Sequence, residues 1–415
     1  DGTPVAGITP TSGNTSAALD AAVKNVEKDA QTLRGLKSKQ PVDVQFIPRD
    51  QLRQNLIDDF KEEYSREEAR VDALEMWLQR LIDDRNMDLY QLYVDFYTES
   101  IAGYYDPQED KMFVIEKEEE RNKLKPGSRE TLAHEIVHAL QDQTYDLDKM
   151  LPEDSEEYDR DLARRSLVEG DATLAGQLYA YEYLTDAERE EWLNENSGLD
   201  TPVFDNAPKA IRESFIFPYT KGVIFTEKLL QKGLIEGRRF GQMDEALADP
   251  PTSTEQILHP DKYLESPRDE PVEVTIPPLT DTLGSGWTYA DGGTYGEFDA
   301  DVMLSANGIP GVDLLNARDA DKEAERAAAG WDGGQYEVYE NGDKAIMVLD
   351  TRWDNDKEAK EYRDTMIKTF KNAQKDGEIY SENGRLHYLG GEGDRVFLIT
   401  STDREALDKA LEVIR

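Results

Sequence analysis

The chain has 415 residues, room for two or three domains that each bury a core. Its 88 acidic residues against 48 basic ones give a net charge of −40, which argues against binding to nucleic acid or to anionic membrane surfaces. With no cysteine, disulfides and thiolate metal sites are excluded, and with no run of 18 apolar residues a membrane-spanning helix within the chain is excluded as well.

Residues 1–16 are rich in Gly, Pro, Ser and Thr and begin at Asp1 without an initiator Met, which reads as a flexible leader left by a removed signal. The expectation is an exported protein, extracellular or on the cell surface, with a tether left open; a trimmed N-terminus is the alternative. Helical spacing follows over 17–38, then a short strand at "VDVQFIP" (42–48) and a second helical stretch over 49–84. "MDLYQLYVDFYTES" continues as a helix into "IAGYYDPQEDKMFVI", two strands joined by a turn at Asp106-Pro107. After "KPGSRE" comes a helix for which Ser128 is the expected N-cap. Further helices are expected over 155–184, after the capping box Thr185-Asp186-Ala187-Glu188, and around 220–232.

Residues 265–293, rich in Pro, Gly and Thr, read as a linker between a domain over 17–264 and a smaller one over 294–415. In the smaller one, Thr294-Tyr295-Gly296-Glu297 caps a helix and "QYEVYENGDKAIMVLDTRW" is a hairpin turning at Asn341-Gly342. An amphipathic helix over 354–374, strands at "GRLHYL" and "DRVFLITST" and a closing helix complete an α+β sandwich.

The chemistry concentrates in "HEIVHALQDQ", residues 134–143. Residues four apart share a helix face, so His134 and His138 present ring nitrogens to one metal ion, with Glu135 beside them. The chain holds only four histidines, which makes the coincidence of two in this motif informative; the bland alternative is a helix with two exposed histidines. Catalytic zinc takes three protein ligands and an open position. Glu169 is the expected third ligand, because Leu167, Val168, Ala172, Leu174, Ala175 and Leu178 surround it and a buried carboxylate needs a partner.

A His-Glu-x-x-His helix followed by a helical glutamate resembles the gluzincin metallopeptidases, the group that contains thermolysin and aminopeptidase N. "HEIVHALQDQ" with "LVEGDATLA" is similar to predicted secreted metallopeptidases of bacteria and haloarchaea. The resemblance implies a mainly helical zincin-like domain with a short β-sheet, Zn2+ held by His134, His138 and Glu169, and Glu135 as the general base. Two departures stand out: thirty residues separate His138 from Glu169, more than in thermolysin or aminopeptidase N, and Thr173 stands where those families carry Asp. Asp171 and Asp142 are therefore candidates for orienting a ligand histidine. "FPYTKGVIFTEKLL" is similar to the segment in which aminopeptidase-N-type enzymes carry their catalytic tyrosine, which points to Tyr219 as an oxyanion donor or, equally, as a core residue. His259, ending a short helix capped by Ser253, is a second donor candidate by likeness to thermolysin, or a helix-ending surface histidine. His387 reads as structural.

The expected activity is zinc-dependent peptide hydrolysis, with Glu135 moving a proton from water to the leaving amine and the strand around "SIAGYYDP" pairing with an extended polypeptide. No stretch resembles the one with which aminopeptidases grip a free amino terminus, which favours an endopeptidase. The evenly spread acidic load points to a surface adapted to high salt, where screening relieves self-repulsion, against an ordinary acidic protein. Two rivals remain: a zinc amide or ester hydrolase with a non-protein substrate, and an inactive surface binding or scaffold protein that keeps the peptidase fold.

Overall fold

A computed structural model describes residues 17–40, 42–100, 103–106, 111–120, 122–152, 155–195, 201–311 and 322–415; the leader and the turn at 107–110 lie outside them. In chain order the elements are α1 (Ala17–Arg34), β1 (Asp43–Ile47), α2 (Arg49–Glu63), α3 (Arg66–Leu78), α4 (Leu89–Ser100), β2 (Gly103–Asp106), β3 (Lys111–Ile115), α5 (Pro126–Tyr145), α6 (Leu147–Met150), α7 (Tyr158–Tyr183) and α8 (Asp186–Glu195). Then come α9 (Pro202–Asn206), α10 (Lys209–Ile235), α11 (Gly241–Ala248), α12 (Thr254–Leu258), α13 (Pro260–Leu264), α14 (Thr280–Leu283), β4 (Thr288–Thr294), α15 (Glu297–Ala306) and α16 (Glu323–Ala328). β5 (Trp331–Asn341), β6 (Lys344–Trp353), α17 (Asp356–Thr369), β7 (Gln374–Asp376), β8 (Ile379–Glu382), β9 (Arg385–Gly390), β10 (Arg395–Ser401) and α18 (Arg404–Ile414) finish the chain. The fold is α+β, as the sequence leads one to expect. Among the described residues no helix is long and apolar enough to cross a membrane.

The chain forms two compact units, and each is interrupted. The first is Asp1–Lys61, Tyr97–Met150 and Asp171–Thr201; the second is Glu62–Phe96, Leu151–Gly170 and Pro202–Arg415. A single boundary in the 265–293 stretch therefore does not describe the grouping. The division instead passes within continuous helices, among them α7.

In the first unit, β3 is the middle strand of a three-stranded sheet, with β1 parallel and β2 antiparallel to it. Alternation along β3 sends Met112 and Val114 to one face and Phe113 and Ile115 to the other. The first face packs with Val26, Ala30 and Leu33 of α1 and with Leu132, Ala133, Ile136 and Leu140 of α5. The second packs with Leu52 and Leu56 of α2. Each such side chain, when fully buried, contributes about 1.5–3 kcal/mol, so α5 is clamped along its apolar stripe.

Several helix ends differ from the sequence expectation, for local reasons. The single stretch over 49–84 breaks at Ser65, whose side chain accepts from Glu68 N while Glu68 accepts from Ser65 N, a reciprocal cap. α5 starts at Pro126 with Lys125 as its cap, because proline is preset for the first helical position and lacks the N–H that would go unsatisfied there. Ser128 thus lies inside the helix, donating to Glu120 and accepting from Lys117. The Thr185–Glu188 capping box forms.

In the second unit, a seven-stranded antiparallel sheet runs β4-β5-β6-β10-β9-β8-β7. Ile346 and Val348 of β6 face Leu407, Ala410 and Ile414 of α18. The other face meets α17, where Trp353 stacks on Tyr362 at 4.4 Å. The expected linker is part of this core: Ile276, Leu279, Leu283 and Trp287 pack with α18, and Thr288–Thr294 is the edge strand β4. Gly296, not Thr294, caps α15, its N–H donating to Asp299 at 2.9 Å. The β5–β6 turn is Gly342-Asp343, one residue later than expected, since Asn341 still pairs with Lys344 and Gly342 supplies the positive φ of 60°.

Two carboxyls buried in this unit carry a pH dependence. Burial pushes Asp159 up to about 7, against the pull of the Thr254 hydroxyl and N–H that donate to it, and pushes Glu255 up to about 8, against the pull of Lys262. Unfolded, both titrate near about 4, so their folded pKa values are raised. Their contribution to stability is full below that value and is lost as pH rises through about 7–8. Calorimetry at constant high salt is therefore expected to give a melting temperature that rises as pH drops from about 8.5 to about 5.5, with Asp159→Asn flattening the trend; a falling melting temperature would contradict it.

Candidate metal centre

α5 and α7 are neighbours running in opposite directions. Arg129 donates to the Tyr179 hydroxyl at 3.2 and 3.0 Å. One turn on, a Cβ at Gly176 would meet Glu130. Next, Val137 packs with Ala172 and Ala175, and Gln141 donates to Asp171 at 2.9 Å. As contacts advance along α5 they retreat along α7, and Glu169 lies one turn before Ala172 on the same stripe.

The three expected ligands come together. His134, His138 and Glu169 each offer a ligand atom, and all of these lie within 4.8 Å of one another. The two histidine Nε2 atoms are 3.0 Å apart and the rings are nearly perpendicular, at 81°. Ligand atoms on a tetrahedral zinc ion with bonds of about 2.0–2.1 Å stand about 3.3 Å from one another, so the histidine spacing is close to what one ion requires. Two imidazole nitrogens and a carboxylate, in a chain without thiolates, form the donor set of a zinc site with a position left open. The residues fit the metal.

Glu135 follows His134 on α5 and is 9 % exposed. Glu130, one turn before His134, is a further acid at this end of the site; burial raises its carboxyl, Glu135 adds to the rise and His134 opposes it.

Ring orientation comes from a residue the motif does not advertise. His138 Nδ1 lies 2.9 Å from the Gln141 side-chain oxygen, and Gln141 in turn donates its amide to Asp171. Asp171 also accepts from Arg34 Nε, at 2.8 and 3.0 Å, and neither side chain of that pair has solvent exposure. Asp171 thus reaches His138 through Gln141 and not directly. Asp142 instead accepts from the Tyr105 hydroxyl and from Leu147 N, each at 3.0 Å, tying β2 and α6 to α5. On a helix residues three and four apart both lie on one face; here it is Gln141, three residues on, whose side chain reaches the ring.

His259 is not among the converging ligands; its Nε2 bonds Glu297 at 2.8 Å, and that buried carboxylate raises the histidine pKa. Tyr219 is 40 % exposed on α10, its ring 6.2 Å from Phe215.

A family model described as "Domain of unknown function (DUF8575)" matches residues 287–411. That range covers the terminal sheet and lies outside the metal cluster. No curated protein and no solved structure matches the chain.

Within the second unit, α10 crosses α7 where neither helix can carry a side chain. A Cβ at Gly170 would overlap the backbone of Gly222, and one at Gly222 would overlap the Ser166 carbonyl. Glu169 thus sits beside the crossing, with Tyr219 one turn away on α10. Gly222→Ala is expected to force the helices apart and cost about 1–3 kcal/mol; an unchanged denaturant midpoint would show that the crossing tolerates more volume than its geometry allows.

Proposed function

We propose that the chain is a zinc-dependent hydrolase of peptide bonds, related in the layout of its site to the gluzincin metallopeptidases. The observation that carries this reading is the convergence of His134, His138 and Glu169 on one point from two antiparallel helices. Bound there, zinc would polarise the scissile carbonyl and lower the pKa of water toward about 7. Glu135 accepts the proton from the attacking water and delivers it to the leaving amine, the role for which a carboxylate next to the ligands is suited. Tyr219 is the proposed donor to the developing oxyanion. β2 ends the order of its sheet and is bonded through Tyr105 to α5, so an extended polypeptide added to that edge would run along the helix that carries the ligands. Internal cleavage suits such a strand-like binding mode. The acidic composition supports work in high salt.

Metal analysis of the purified protein in high salt is expected to find one zinc per chain, lost in His138→Ala. Glu135→Gln should keep the zinc and lose about 100- to 10,000-fold of casein hydrolysis. A wild-type chain without zinc would overturn the proposal; one that holds zinc but cleaves only non-protein amides or esters would move it to a different substrate.

A further inference from the structure

The chain from His138 to Arg34 fixes more than the position of a ring. A carboxylate only accepts hydrogen bonds, so the end of Gln141 that faces Asp171 is its NH2 group, and the end that faces His138 is its oxygen. An amide oxygen also only accepts. His138 Nδ1 must therefore carry the ring proton, which leaves Nε2 with its lone pair directed at His134. If Gln141 rotated by half a turn its amide would donate to Nδ1 and the tautomer would reverse. Asp171 prevents this, because its oxygens would then face the amide oxygen. What holds Asp171 in place and aimed at Gln141 is the Arg34 guanidinium from the last turn of α1, 137 residues away in sequence.

Resting on the zinc reading above, we propose that Arg34 is a positioning residue: acting through Asp171 and Gln141, it sets the tautomer of His138 and thereby the zinc affinity of the site. α1 is then part of the metal centre although none of its residues is a ligand. Its apolar stripe, Val26, Ala30 and Leu33, packs in the same core as Ile136 and Leu140 of α5, and this holds Arg34 at its station.

With four histidines in the chain, selective 15N-histidine labelling makes the ring tautomers readable by NMR in the metal-free protein. The wild type is expected to show His138 protonated at Nδ1. Gln141→Leu, which leaves the Arg34–Asp171 pair in place, should abolish that preference and weaken zinc binding about 10- to 100-fold in chelator competition. Arg34→Met alone strands a buried carboxylate and is liable to unfold, so the decisive variant is Arg34→Met with Asp171→Leu, which removes both charges and the Asp171 bond to Gln141. It should lose the tautomer preference and zinc affinity as Gln141→Leu does, and adding Gln141→Leu to it should produce no further loss. A folded double variant that keeps the Nδ1–H form and wild-type zinc affinity would overturn the proposal. Absence of zinc from the wild type would instead overturn the reading on which it rests, while the NMR arm would still report whether Arg34 controls the ring.

Discussion

A carboxylate without solvent exposure governs the layout of the first unit. Taking Asp171 out of water costs several kcal/mol, and only a well-placed counter-charge with further hydrogen bonds offsets it. Arg34 supplies the charge and the Gln141 amide an additional bond. Meeting that demand brings three helices to one place: α1 must end where Arg34 reaches α7, and α5 must lie where Gln141 reaches the same oxygen. The antiparallel register of α5 with the later turns of α7 follows. The polar connections and the apolar core of Leu33, Ile136 and Leu140 select the same arrangement, a consistency across levels that favours one structure over its competitors.

What could be read in the sequence was what is local. His134 and His138 are four residues apart, and helical geometry alone puts them together. Glu169 was recognisable from its apolar neighbours, since a carboxylate among Leu, Val and Ala calls for a partner. Arg34 offered no such signal: it is an ordinary basic residue at the end of a helix, and its partner is 137 positions away. Gln141 lies three residues past His138, but a neutral amide carries no charge to mark it as a histidine's partner, whereas the acid beside it does. The second unit repeats the lesson. Residues 265–293 have the Pro and Gly content of a linker, but Ile276 and Leu279 are buried by α18 and Tyr339, contacts no local window contains. At the β5–β6 turn the Asn-Gly signal was right in kind and off by one, because strand pairing on both sides decides which two residues are left over.

The acidic residues fall into two physical groups. Many are exposed beside a lysine or arginine that lowers their pKa, as with Glu67 next to Arg70 and Asp58 next to Lys61. Others are buried in the second unit and raised by desolvation, with Asp159 and Glu255 the clearest cases. Near Glu255, Lys262 reaches three carboxylates, at 2.5 Å to Glu255, 2.8 Å to Asp269 and 3.5 Å to Asp354. Glu255 is buried while Asp269 and Asp354 are partly exposed, so this lysine joins the buried group of acids to the surface one.

The interleaving of the two units has a bearing on how such a chain is made. Each unit takes three separate stretches of sequence, and the first is not complete until Thr201. A ribosome releasing this chain from its N-terminus delivers the strands of the small sheet early, yet α1 must wait for α7 before the side chain of Arg34 has its counter-charge. The second unit waits longer, because α3 is synthesised far ahead of the β-sheet with which it groups. Neither unit is a cassette: no single break point separates them, and a gene that acquired either one by end-to-end fusion would not have produced this order.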